Sequence, residues 1–139
     1  MNWALILQLS LFGLVMAVAT VFWIPSTIEP LFWLAIFAVC AYIIAVRCSG
    51  RYFLHGLLVS VVNSVWITAF HVLMFDRYII NHRQEAEMML SMPLATSPRL
   101  LMSLTGPVIG VVSGIVLGLF AVAAHKLVGG REGRPARTG

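Results

Sequence analysis

Apolar residues fill four runs of this chain, and polar residues are concentrated in the gaps between them. A hydrocarbon core of about 30 Å takes around 20 helical residues to cross. The pattern predicts spans at about 3–24, 30–47, 52–76 and 100–128, with a longer connection at 77–98. The first run carries only Gln8, Ser10 and Thr20 as polar residues, and Trp3 and Trp23 bracket it as interfacial anchors. The second is short and borrows Glu29–Pro30 and Arg47–Cys48 as its flanks.

The breaks read as helix punctuation. From Ile24 to Pro30 the chain predicts a tight turn, with either a Ser26/Glu29 capping box or Glu29 capping a helix that has Pro30 at its first position. Ser49-Gly50 ends the second span, and Ser97-Pro98 opens the last. Gly106-Pro107 predicts a kink, or a break that leaves Pro98–Leu104 as a separate piece, because proline removes a backbone bond. Between the third and fourth spans, Tyr78 to Met92 predicts an amphipathic interfacial helix with Ile79, Ala86 and Leu90 inward and its polar residues in water.

Composition strengthens this picture. The chain has 139 residues, of which 60% are hydrophobic and 10% charged. Soluble domains are roughly half apolar and a quarter charged. The expected fold is therefore all-α: one transmembrane domain over 1–128, a bundle of four helices with a short interfacial helix between the third and fourth, and a disordered basic tail at 129–139. The net charge of +4 does not mark a nucleic-acid binder, since the basic residues sit at span ends rather than on a face interleaved with aromatics.

Charge also gives direction. Arg47, Arg51, Lys126, Arg131, Arg134 and Arg137 lie on one side, against Arg77, Arg83 and Arg99 on the other. The positive-inside rule puts both termini on the cytoplasmic side, as expected for a bacterial inner-membrane protein. Ala17-Val18-Ala19 has the form of a signal-peptide cleavage site, but no basic region precedes the run and the run continues through Trp23, so an uncleaved span is expected. Cys40 and Cys48 form no metal or redox pattern. Cys40 reads as apolar filler and Cys48, between two arginines, as a weak acylation candidate.

The most specific signal is a stripe of small residues. Gly106, Gly110, Gly114 and Gly118 recur every fourth position, which places them on one helix face. Gly56, Ser60, Ser64 and Thr68 repeat the spacing in the third span. Interior glycine costs a helix about 1 kcal/mol relative to alanine, and close backbone approach between lipid-embedded helices is the compensating gain. The stripes can meet antiparallel within one chain, Gly118 near Gly56 and Gly106 near Thr68, or the fourth span can pack against a second copy or a membrane-protein partner.

Chemistry is sparser. Asn63, His71 and Asp76 are candidates for a polar path, since polar groups at membrane depth face the interior and invite a functional reading. The plainer alternative for Asn63 is a hydrogen bond to a neighbouring helix. His82, Glu85, Met88 and Met92 are weak metal candidates of mixed softness. Met88-x-x-x-Met92 beside a glycine-striped helix resembles the small three-span trimeric copper transporters. There, however, the methionine pair lies inside a span, and this chain has one span more, so membership does not follow.

No H-E-x-x-H, G-x-S-x-G or phosphate-cradling loop appears, and no cofactor or enzymatic activity is expected. The expected role is structural or accessory, with a small ion, proton or metal transporter or channel as the alternative.

Overall fold

The computed structural model describes residues 1–92 and 97–132, the last four by their backbone. Its helices are α1 (Trp3–Phe22), α2 (Glu29–Arg47), α3 (Tyr52–Leu73), α4 (Phe75–Asn81), α5 (Arg83–Leu90) and α6 (Pro98–Glu132), with no strand among the described residues. Four of them, α1, α2, α3 and Pro98–Val128 of α6, are long and apolar enough to cross a membrane. Such a chain is membrane-embedded, because water would not support this much exposed apolar surface.

Helix ends follow local chemistry in part. The Asn2 side chain accepts the Leu5 N–H at 3.1 Å and caps α1. At α2 neither expected cap forms: Ile28 stands at the N-cap position and gives no side-chain bond. Glu29 instead accepts from Trp33 Nε1 at 3.0 Å and meets His82, while Ser26 donates to Glu85 at 3.0 Å. Bonds to more distant partners have displaced the local cap. Between α2 and α3 the chain turns through Arg51, whose φ of 52° is left-handed and whose carbonyl meets His55 Nδ1 at 2.9 Å.

Proline at 107 does not break α6, which runs 35 residues and includes Pro98–Leu104. The Ser103 and Thr105 hydroxyls donate to the carbonyls of Arg99 and Leu101, supplying local bonds to the turn that precedes the proline. The helix also continues through 129–132, so the start of the expected disordered tail is helical; 133–139 lie outside the described residues.

The connection departs further from expectation. A single helix over Tyr78–Met92 does not form, because the backbone breaks at His82. Leu90, expected inward, is 68% exposed, whereas Tyr78 and His82 are buried, His82 completely. The polar ring turns inward because Glu29 is there to receive it.

α3 sits between α1 and α6, and α2 packs against α6. Gly56 faces the backbone of Gly118, and Gly106, Gly110 and Gly114 face Thr68, Ser64 and Leu57 in turn. Both stripes thus meet antiparallel inside one chain. The core is unevenly distributed. Leu5, Ile6, Leu9, Cys40, Ala41, Ile44, Val59, Leu117 and Ala121 form one apolar layer toward the α2–α3 turn. Every fully buried residue of α2 lies between Cys40 and Ala45, so its first half, Glu29–Val39, packs more loosely, touching the core through Ile36 and Phe37 and reaching His82 through Glu29. A smaller cluster of Val21, Tyr78 and Met102 fixes α4 against α1 and α6.

Candidate ligand cavity

The loosely packed half of α2 borders a cavity of about 760 Å³ that α3, α5 and α6 also line. One wall is polar: α3 contributes Ser60, Asn63, Ser64, Thr68 and His71, and α6 adds Thr105 and Ser113. The apolar and aromatic part of the lining includes Trp33, Leu34 and Phe37 from α2 and Val116 and Phe120 from α6. Met88 and Met89 of α5, with Met92 beyond it, cover one end, and Ser26, Glu29, Tyr78 and Glu85 also border the space. This is the usual make-up of a ligand pocket: mostly apolar surface with a few placed polar groups.

Asn63 is 2% exposed, and neither its amide nitrogen nor its oxygen has a hydrogen-bond partner. Gly13 of α1 makes room for it, since a Cβ there would stand 2.6 Å from the Asn63 oxygen. An unpaired buried polar group costs about 1–3 kcal/mol. The interhelical bond expected as the plainer role of Asn63 does not form. Gly13 escaped the sequence reading because a single glycine in an apolar run carries no spacing signal.

Beside the cavity lies a stack of three rings. Tyr78 is sandwiched between His71, at 4.2 Å and 30°, and His82, at 4.2 Å and 11°. The Thr20 hydroxyl donates to the Met16 carbonyl at 2.9 Å and so accepts from His71 Nε2, also at 2.9 Å. At the other end, His82 Nδ1 lies 3.2 Å from the Tyr78 carbonyl and Nε2 lies 3.3 Å from Glu29 Oε2. With oxygen acceptors at both ring nitrogens, the imidazolium is favoured. Burial opposes the charge, but the Glu29 hydrogen bond and negative charge outweigh it, and the His82 pKa rises above the usual histidine value. Burial first, then the Glu29 and Glu85 charges, push the Tyr78 hydroxyl up and keep it neutral.

Of the polar-path candidates, Asn63 and His71 line this cavity and Asp76 does not. Asp76 is 85% exposed and meets Arg99 at 3.4 Å on the surface. The metal candidates are divided: His82 pairs with Glu29, Glu85 with Ser26, and Met88 and Met92 line the cavity. Among the described residues no three His, Cys, Asp or Glu side chains gather as a metal site. Cys40 and Cys48 are free and buried, and burial raises the Cys48 thiol pKa, which disfavours acylation there.

A second, polar groove of about 680 Å³ lies at the opposite end, between Asn2, Arg47, Arg51 and His55. Asn2 donates its backbone N–H to His55 Nε2 at 3.0 Å, tying the start of α1 to α3. The chain matches no family model, no curated protein and no solved structure.

Proposed function

We propose that this chain is a non-enzymatic accessory component of a bacterial inner membrane. In this reading it is a four-helix transmembrane bundle with both termini cytoplasmic and with α4 and α5 lying in the outer interface. Its working surface is the cavity beneath α5 and not a soluble domain. The observation that carries the reading is the uneven core: Ile6, Ile44, Val59 and Leu117, all fully buried, close the bundle interior toward the α2–α3 turn, beside the Val116 and Phe120 end of the cavity. A space closed at one end holds a ligand or partner and does not conduct.

The Arg47 and Arg51 pair beside the α2–α3 turn supports the orientation, since basic residues are retained on the cytoplasmic side. The glycine stripe of α6 is already covered by α3, so a partner would meet its other face, where Val108, Val112 and Leu119 are exposed. Purification in mild detergent tests the accessory role. A stoichiometric membrane partner is expected, and a lone monomer under every condition contradicts it.

One observation favours a transporter instead. The stripe from Ser60 to His71 runs along the cavity wall for about 16 Å at 1.5 Å per residue. In liposomes, transport predicts a proton or monovalent-ion flux that His71→Ala changes. The accessory reading predicts no flux in either form.

A further inference from the structure

We propose that the groove at the α2–α3 turn binds the phosphate of an anionic phospholipid from the adjoining leaflet, with Arg47 and Arg51 as its two protein partners. The site is separate from the cavity beneath α5 and does not depend on the accessory role.

Three observations select this ligand. The first is unbalanced charge. Arg47 closes α2 and Arg51 precedes α3, and both border the groove of about 680 Å³, whereas no Asp or Glu among the described residues does. Neither arginine enters an ion pair, since the pairs among the described residues are His82–Glu29 and Arg99–Asp76. Glu29 stands at the other end of α2, about 27 Å from Arg47 at 1.5 Å per residue. A guanidinium presents a planar fork of donors that fits two phosphate oxygens. Basic pockets between transmembrane helices are sites where lipid headgroups bind.

The second observation is that the groove is already built. His55, 4% exposed, ties its edges together. Its Nε2 accepts the Asn2 backbone N–H at 3.0 Å, so the ring proton sits on Nδ1 and is donated to the Arg51 carbonyl at 2.9 Å. The same bond holds the left-handed turn at Arg51, where φ is 52°. A site fixed before binding loses little freedom when its ligand arrives.

The third observation separates a lipid from a soluble anion. Trp3 borders the groove, and Leu7 and Leu11 follow it along α1 at four-residue spacing. The three are 58%, 54% and 51% exposed. This apolar stripe leads from headgroup level into the hydrocarbon, with an amphipathic tryptophan at the junction. An acyl chain can lie along it while the phosphate stays with the arginines. A water-soluble phosphate gains nothing from it.

The test uses the full chain in neutral detergent, with native mass spectrometry counting bound molecules. Three probes are titrated: dioleoyl phosphatidylglycerol, a phosphatidylcholine with the same chains, and glycerol 3-phosphate, which carries the phosphate without the chains. The expected result is one saturable phosphatidylglycerol, weaker and unsaturated binding of phosphatidylcholine, and no binding of glycerol 3-phosphate. Arg47→Gln and Arg51→Gln should each weaken phosphatidylglycerol binding about fivefold. Their lipid-free melting temperatures should match that of the unaltered chain, because both side chains are exposed. Arg77→Gln combined with Arg83→Gln, exposed at the opposite end, should leave binding unchanged. Equal binding of the two lipids, glycerol 3-phosphate binding as tight as that of phosphatidylglycerol, undiminished binding in both Arg47→Gln and Arg51→Gln, or the same loss in the Arg77/Arg83 variant overturns the proposal.

Discussion

Gly56 and Gly118 approach so closely that a Cβ on Gly56 would stand 2.7 Å from the Cα and the nitrogen of Gly118. Neither atom can rotate away, because both belong to backbone. Alanine at Gly56 must therefore push α3 and α6 apart, and overpacking of this kind costs about 1–3 kcal/mol. Gly56→Ala and Gly118→Ala should each lower the melting temperature in detergent, and Gly56→Leu should prevent recovery of folded protein. An unchanged melting temperature contradicts the seam.

Gly106 offers an internal comparison. Its nearest neighbour is the Thr68 side chain, whose hydroxyl is the first atom met. A side chain can rotate or be trimmed, so Gly106→Ala should cost less than Gly56→Ala. Thr68→Ala in the same chain should recover most of the loss. The non-additivity of the double variant, read from thermal melts, measures the contact directly.

The His82–Glu29 pair predicts a pH dependence. The folded-state pKa of His82 lies above its ordinary value of about 6.5. Its contribution is therefore fully present below pH ~6.5 and is lost as pH rises through the folded pKa. Tyr78 stays neutral across this window, and Glu85 adds to the negative field at His82. Protection factors at α4 and α5, with the intrinsic rise of amide exchange with pH divided out, should fall as pH increases from 6 to 8.5, and Glu29→Gln should flatten the response. His82→Ala should cost about 1–3 kcal/mol by leaving a half-buried carboxylate without its partner. A pH-independent protection factor in the unaltered chain contradicts the pairing.

By contrast, the Asp76–Arg99 pair should matter little. Its side chains are 85% and 56% exposed, and exposed ion pairs contribute about 0–1 kcal/mol. Asp76→Asn should leave the melting temperature within a degree or two of the unaltered chain, and should not alter Trp33 fluorescence. A large loss would place Asp76 in a role that its position does not support.

What the sequence discloses here follows from how far each property reaches along the chain. Apolar run length is local, so all four long helices are legible within a few residues of their ends. The i+4 spacing of Gly106 to Gly118 and of Gly56 to Thr68 is also local, and it marks faces before any partner is known. Partners are not local. Nothing near Ser26 or Glu29 in sequence announces Glu85 and His82, more than 50 residues away, which is why the expected cap at α2 gave way. The same reason hides the looser packing of the first half of α2, because Leu34 and Cys40 look alike in an apolar run although one is 56% exposed and the other fully buried. Asn63 was visible as an unusual polar residue, but its lack of a partner and the notch at Gly13 are properties of packing.

The central claim is a cavity that opens beneath α5 and ends at a sealed apolar layer. Single cysteines introduced on α6 in a Cys40→Ala, Cys48→Ala background test it most directly, using a small membrane-permeant thiol reagent on protein in nanodiscs. Ser113→Cys, on the cavity wall, should react readily, and Leu117→Cys, one turn further and fully buried, should stay protected. Equal labelling of both positions, or protection of both, would contradict the account.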